Sequence, residues 1–402
     1  MKRTLFLFIC VLIGVFSSCT VSAYADAAWD GSVDTSWYDT KFEKFTLTSA
    51  AQLAGFAQLV NGGEGFEGKT VQLGCDIRLN SGDFSSYGAY NGDKTTVNYW
   101  TPIGRKRSYF SGVFDGMGHT ISGMYISTAE GYCGLFGYST GEIRNVSVVD
   151  GSVRGGDRSA AVCGFNRNGI IEGCYSDCYV YSPWWGGGIC GVNSGSASIL
   201  RCANNGMIKA DINAGGICGM NQESYAVIEN CFNSGSVQSY TVGSGGICGL
   251  NDCAKINNCI NVGKVNGDEP YPISDKFTAF DGGGYTQINS SYYLSGQGFA
   301  ENCGGIALTA EQMCDGAHFA EYFVGFDEEI WYVGTLAESV GGTSPSGSYI
   351  IMTYPKIKGV GEPVCILNEV NPDTGEPKTG ASVVSVVLSA AFCAIYIKRK
   401  DH

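Results

Sequence analysis

Apolar residues in the middle of this chain return in whole phrases, with neither helical spacing nor long strict alternation. Gly-x-Cys-Gly-x-Asn, or a close variant, occurs as AVCGFN from Ala161, GICGVN from Gly188, GICGMN from Gly216 and GICGLN from Gly246. A second phrase follows each copy: Ile, two residues, Cys, three residues, Gly, one residue, then an apolar residue, as in INNCINVGKV from Ile256. Aligned, the phrases form columns at steps of 27 to 30 residues. One column is Ile143, Ile171, Ile199, Ile228 and Ile256. The next is Val146, Cys174, Cys202, Cys231 and Cys259. A third is Gly151, Cys178, Gly206, Gly235 and Gly263, and a fourth Val153, Val180, Ile208, Val237 and Val265. A fifth runs Phe136, Cys163, Cys190, Cys218, Cys248. Such a period signals stacked repeats rather than one globular core.

Each unit holds two or three short apolar segments broken by Gly, Asn and Ser, too short for a helix and suited to strands with tight turns. The pattern predicts an all-β fold: a parallel β-helix in which equivalent positions stack about 4.8 Å apart. Ile, Val, Cys and Phe ladders form its core. Asn193, Asn221 and Asn251 should stack and hydrogen-bond along the axis. The step of three from Ile to Cys cannot keep both side chains on one face of a flat strand. A bulge or corner must separate them, and the sequence does not place it.

The flanks divide the chain further. Residues 1–25 read as a signal peptide: Lys2 and Arg3, the apolar run Leu5–Phe16, then Ala23-Tyr24-Ala25. A lipoprotein reading at Cys19 ranks second, because Phe16 suits it poorly. Residues 26–65 form an N-terminal cap, with a capping box at Ser49 and Gln52 opening a helix that turns Leu53, Phe56, Ala57 and Val60 to one side. Residues 66–129 supply the first rungs, with strand-like runs at Val71–Leu79, Phe110–Phe114 and Thr120–Ile126, and residues 130–300 the repeats. Residues 301–358 form a C-terminal cap, with a second capping box at Thr309 and Gln312 starting a helix to about Tyr322, and strands around Trp331 and Tyr354-Pro355. Residues 359–380 are a polar linker. Residues 381–402 hold an apolar stretch, Ala381–Ile397, ended by Lys398-Arg399-Lys400, which predicts a transmembrane helix with a cytoplasmic tail.

Composition sharpens this picture. With 59 Gly, 9 Pro and 16% charged residues, the chain is rich in tight turns, and its aromatic content argues against disorder. A net charge of −13 disfavours nucleic acid as a partner. Eighteen cysteines in an exported chain would ordinarily suggest disulfides. Here Val146 and Phe136 stand in cysteine columns, so the ladder cysteines Cys163, Cys190, Cys218, Cys248, Cys174, Cys202, Cys231 and Cys259 read as small buried hydrophobes, mostly free thiols.

Two resemblances follow. GGICGMN…IENCFNSGSV (Gly215–Val237) resembles the GLUG-motif repeats of bacterial surface proteins. WTPIG from Trp100, FSGVFDGMGHTISGMYI from Phe110 and SYYL…GIALTAEQM from Ser291 are similar to segments that flank such repeats. The resemblance implies a β-helix-like extracellular region; some members belong to immunoglobulin A peptidases. Asn371-Pro372-Asp373-Thr374-Gly375, followed by the apolar span and basic tail, resembles a sortase sorting signal of the NPxTG type, with Asn where the commoner LPxTG motif has Leu. That resemblance implies sortase as a processing partner and transfer of Thr374 to the cell wall. Glu376-Pro-Lys-Thr-Gly380 competes weakly; if neither is used, the span alone anchors the chain in the membrane.

Candidate chemistry is sparse. The three histidines, His119, His318 and His402, are far apart, with no HExxH and no nucleophile context, so the peptidase activity of some relatives does not carry over. No CxxC exists to hold zinc, and no cofactor is called for. Acids in the repeats, among them Asp150, Asp177, Asp211, Glu172 and Glu229, share no column apart from the last two, which Leu200 separates. Asp115-Gly-Met-Gly is similar to a calcium turn, but a hairpin turn is the default. The exposed candidates are Trp184 and Trp185, with Tyr181 and the neighbouring Tyr179 and Tyr240, which could stack on a sugar or anchor a protein. The reading is therefore an exported, wall- or membrane-anchored binding scaffold for host or bacterial glycans or surface proteins. The alternatives are a polysaccharide-active β-helix enzyme and a passive spacer.

Overall fold

The structure, a computed structural model, describes residues 28–81, 84, 88, 96–277, 286–297, 299, 304–332, 340–344, 347–353, 355–360, 365–370 and 384–386. The chain winds into a β-solenoid of about eight turns, with all strand pairs of the solenoid parallel. Three sheets run along it. The first has nine strands and carries the isoleucine column: Val71, Phe114, Ile143, Ile171, Ile199, Ile228, Ile256 and Ile288 pair in succession. The second carries Ile126, Val153, Val180, Ile208, Val237 and Val265. The third carries Phe136, Cys163, Cys190, Cys218 and Cys248. In these three columns the pairings are those that the column alignment expects.

The missing corner lies one residue before the second cysteine column. Asn145, Gly173, Arg201, Asn230, Asn258 and Ser290, each two residues past the Ile column, all have φ between 41° and 60°. A left-handed residue reverses the local direction of the chain, so Ile171 and Cys174 both face inward and are fully buried. A second left-handed column is Tyr132, Arg158, Trp185, Asn213 and Gly243, and a third is Asn168, Gly195, Glu223 and Cys253. Each rung is thus three strand segments hinged at three stacked corners.

Asparagine ladders brace the interior. Asn166 donates from Nδ2 to Asn193 Oδ1 at 3.0 Å, Asn193 to Asn221 at 2.9 Å, and Asn221 to Asn251 at 2.9 Å. A second ladder, Asn204 to Asn233 to Asn261, runs at 2.9 Å per step. All seven side chains are fully buried; an amide stacked in register offers a donor to one rung and an acceptor to the other. The eight ladder cysteines are free thiols, fully buried. In the column after the Ile ladder each Sγ lies against the carbonyl two residues back, at 3.1–3.4 Å. Burial pushes the Cys163, Cys174, Cys202, Cys218 and Cys231 thiols well above the usual range, which suppresses the thiolate that oxidation requires.

The ends depart from expectation in detail. The segment expected only to cap contributes a rung of its own: Lys44–Leu47 pairs with Thr70–Leu73. Helix α1 (Ala50–Asn61) then plugs the open end, with Phe56 packed against Phe66, Phe110, Phe114 and Phe136. Ser49 caps it by accepting from Gln52 N, but Gln52 Oε1 reaches back to Thr48 N rather than to the cap residue. The helix expected through Tyr322 is broken into α2 (Ala310–Cys314), a 3₁₀ turn and α3 (Phe319–Tyr322), with Asp315 ending one piece and capping the turn that follows. The reciprocal capping box at Thr309 is present. This region flanks the solenoid. Met313, Cys314, Phe319, Phe323 and Trp331 pack on the outward column Ala203, Phe232, Ile260, Tyr292 and Leu308 of the second sheet. They clamp the side of the solenoid, and Trp331 Nε1 donates to the corner residue Asn230 at 3.3 Å. Trp331–Tyr332 pairs antiparallel with Lys356–Ile357.

The segments expected as a signal peptide (residues 1–25) and as a sorting motif (Asn371–Gly375) lie outside the described residues. Of the expected membrane helix only Val384–Val386 is described, as a strand paired antiparallel with Cys365–Leu367. Among the described residues no helix is long and apolar enough to cross a membrane.

Candidate binding face

Sequence reasoning grouped Trp184, Trp185 and Tyr181; the structure divides them. Trp185 occupies a left-handed corner inside the strand Tyr175–Gly187, shortly before the second sheet gives way to the third, so the two tryptophans turn apart yet keep edge-to-face contact at 5.5 Å. Trp184 is 49% exposed. Trp185 is half-buried against the outer surface of the third sheet, beside Tyr138, Phe165 and Val192. The Arg158 guanidinium lies 4.6 Å over the Trp185 ring and 5.1 Å over Tyr132. Tyr132 continues to Tyr138 at 6.0 Å, and Tyr138 to Tyr109 at 5.9 Å. The result is an unbroken file: Tyr109, Tyr138, Tyr132, Arg158, Trp185, Trp184. Stacking corner residues in successive rungs is what brings Tyr132, Arg158 and Trp185 together.

Tyr181 belongs to a different surface. Its hydroxyl donates to the Asp211 carboxylate at 3.1 Å, and burial, reinforced by Asp211, raises its pKa. Tyr179 beside it lies under the Arg154 guanidinium at 5.1 Å and is likewise raised by burial. Tyr240 lies near both, on the strand Val237–Gly245 of the same sheet.

Asp150 and Asp177 share no column in the alignment, but the second sheet shifts register between Asp177 and Cys178, where Asp150 is the extra residue with φ of 49°. Both residues line a cleft of about 440 Å³, with Tyr179, Asn205 and Met207. Burial raises the Asp177 pKa most; the Asn205 amide, donating at 3.3 Å, opposes it, and the Asp150 charge adds a smaller rise. Insertion of one residue displaces a column, which is why pattern alignment misses the pair.

The remaining candidates are structural. Glu172 pairs with Arg201, and Leu200 stands between Glu172 and Glu229 as expected. Asp115 accepts from Met117 N at 2.9 Å, Asn145 at 3.1 Å and Arg144 at 2.9 Å. Although burial opposes it, those donors hold its carboxyl below the usual range, and its oxygens bind a hairpin turn. His119 contacts Asp76 at 3.1 Å in the same turn. Among the described residues no group of His, Cys, Asp and Glu is placed to hold a metal ion. Comparison of the chain with protein families, curated proteins and solved structures finds no match.

Proposed function

We propose that this chain is an exported scaffold, anchored at the cell surface through the Asn371–Gly375 sorting signal and the span that follows, and that its solenoid binds a ligand without transforming it. The observation that carries the binding reading is Trp184: a tryptophan half exposed beside a corner, its ring braced by Trp185. An amphipathic ring presented on a rigid support is a low-entropy anchor for a sugar face or a protein side chain. Solenoids present such extended surfaces along one side. Cells displaying the full chain should bind members of a glycan and mucin panel, and Trp184→Ala should remove most of that binding; equal binding by the variant would sink the reading. Anchoring has its own test. Thr374→Ala should shift the chain from the wall fraction to the membrane fraction, and an unchanged distribution would exclude the motif.

A second reading, a polysaccharide-active enzyme, is favoured by the Asp150–Asp177 pair. Two carboxylates with one pKa raised are the ingredients of acid–base glycoside cleavage. Release of reducing sugar by the parent chain, abolished in Asp177→Asn, would favour it; absence of release from every polymer on the panel rejects it.

A further inference from the structure

We infer that the outer face of the third sheet is a binding face for an anionic linear glycan, one carrying carboxylate or sulfate groups. This rests on the binding reading above and adds the chemistry of the ligand. The file from Tyr109 to Trp184 covers four successive rungs, from the Phe110 rung, paired to Ser139, to the Cys190 rung. At about 4.8 Å per rung its length is roughly 14 Å, which suits several units of a polymer rather than one sugar. Its rings are presented at the surface: Tyr109 is 44% and Trp184 49% exposed.

Charge supplies the second argument. The chain as a whole carries −13, yet basic groups gather on this face. Arg105, Lys106 and Arg107 are exposed in the turn closed by Arg105 and Ser108, immediately before Tyr109. Arg167, also exposed, lies against the Tyr138 hydroxyl. Arg158 sits between two rings and is paired with Asp157 at 2.8 Å, so its charge is partly met; Glu130 borders the same edge. The exposed cations at one end are thus available to the acid groups of a polymer whose ring faces lie on the aromatics. Arginine forks match carboxylate and sulfate geometry. The rings are tilted or edge-on to one another, at 39°, 46° and 87°. They make no parallel platform for successive bases, which argues for a glycan over single-stranded nucleic acid.

The purified full chain would be titrated with polygalacturonate, heparin, dextran and poly-dT at low and high salt. Polygalacturonate or heparin should bind, more weakly as salt rises, and the stronger of the two identifies carboxylate or sulfate as the recognised group. Trp184→Ala and Arg107→Glu should each weaken that binding by about tenfold or more. Both side chains are exposed, so folding is retained, which circular dichroism would verify. Tyr225→Ala, at an 81% exposed position away from the file, should bind as the parent does. Dextran bound as well as the acidic polymers, with Arg107→Glu silent and Trp184→Ala defective, would overturn the anionic inference and leave the binding reading intact. Preference for poly-dT would overturn it too, and binding of no probe would overturn it even if cells bind a different ligand on the panel.

Discussion

Asn221→Asp should destabilise the solenoid by about 3–5 kcal/mol at neutral pH, the penalty for an uncompensated buried charge. Asn221 is fully buried in the middle of its ladder. It accepts from Asn193 and donates from Nδ2 to Asn251 Oδ1 at 2.9 Å and to Lys255 O at 3.2 Å. A carboxylate keeps the shape and the accepting side, but turns an oxygen toward two oxygens. Asn221→Ala should do less harm, because Asn193 Nδ2 retains Ala197 O at 3.1 Å; about 1–3 kcal/mol is expected for the acceptors left unmet. Burial would raise the new carboxyl's pKa in the folded state above its unfolded value of about 3.9. The folded variant then holds its proton more tightly, so its penalty is smallest in acid. It grows as pH rises from the unfolded pKa to the folded one, then levels off. Urea melts of both variants across pH check this; equal, pH-independent losses would mean that the ladder contributes packing alone.

Gly215→Ala should cost more than about 3 kcal/mol or unravel its rung, since overpacking against backbone has no cheap relaxation. A Cβ on Gly215 would fall 1.9 Å from Cys218 O and 2.6 Å from Gly249 N. Gly187 and Gly245 stand in the same column with Cys190 O and Cys248 O at 1.9 and 1.8 Å. The requirement is space where the chain crosses from the second sheet to the third. Gly118→Asn is the contrast. There φ is +81° with nothing within 4 Å, and Asn tolerates the left-handed region, so a loss within about 1 kcal/mol is expected. Thermal melts and amide exchange around Cys218 would separate the two; a mild Gly215→Ala would show that the crossing yields.

Much of this was legible because a solenoid repeats its environment. Ile171, Ile199 and Ile228 meet the same neighbours one rung apart, so one pattern reports fold, register and core together, and the Asn193–Asn221–Asn251 ladder with them. The second ladder had a signal of its own, an asparagine two residues past each of Cys202, Cys231 and Cys259. The corners were only faintly legible: Asn145, Gly173, Asn230 and Asn258 are types that favour the left-handed region, but Arg201 and Ser290 interrupt the column. For the same reason no alignment of like with like joins Tyr132, Arg158 and Trp185.

By itself, then, the order of residues determined the scaffold: parallel rungs, buried thiols, amide ladders and their register, all set by local periodicity and burial. Which side chains meet on the surface was decided only by the tertiary structure. A left-handed corner directs Arg158 between two rings, a bulge carries Asp150 to Asp177, and Trp331 crosses a separation of 101 residues to Asn230. Those contacts depend on where the backbone bends, and the bends that place them, at Tyr132, Arg158, Trp185 and Asp150, carry no repeated side chain to mark them.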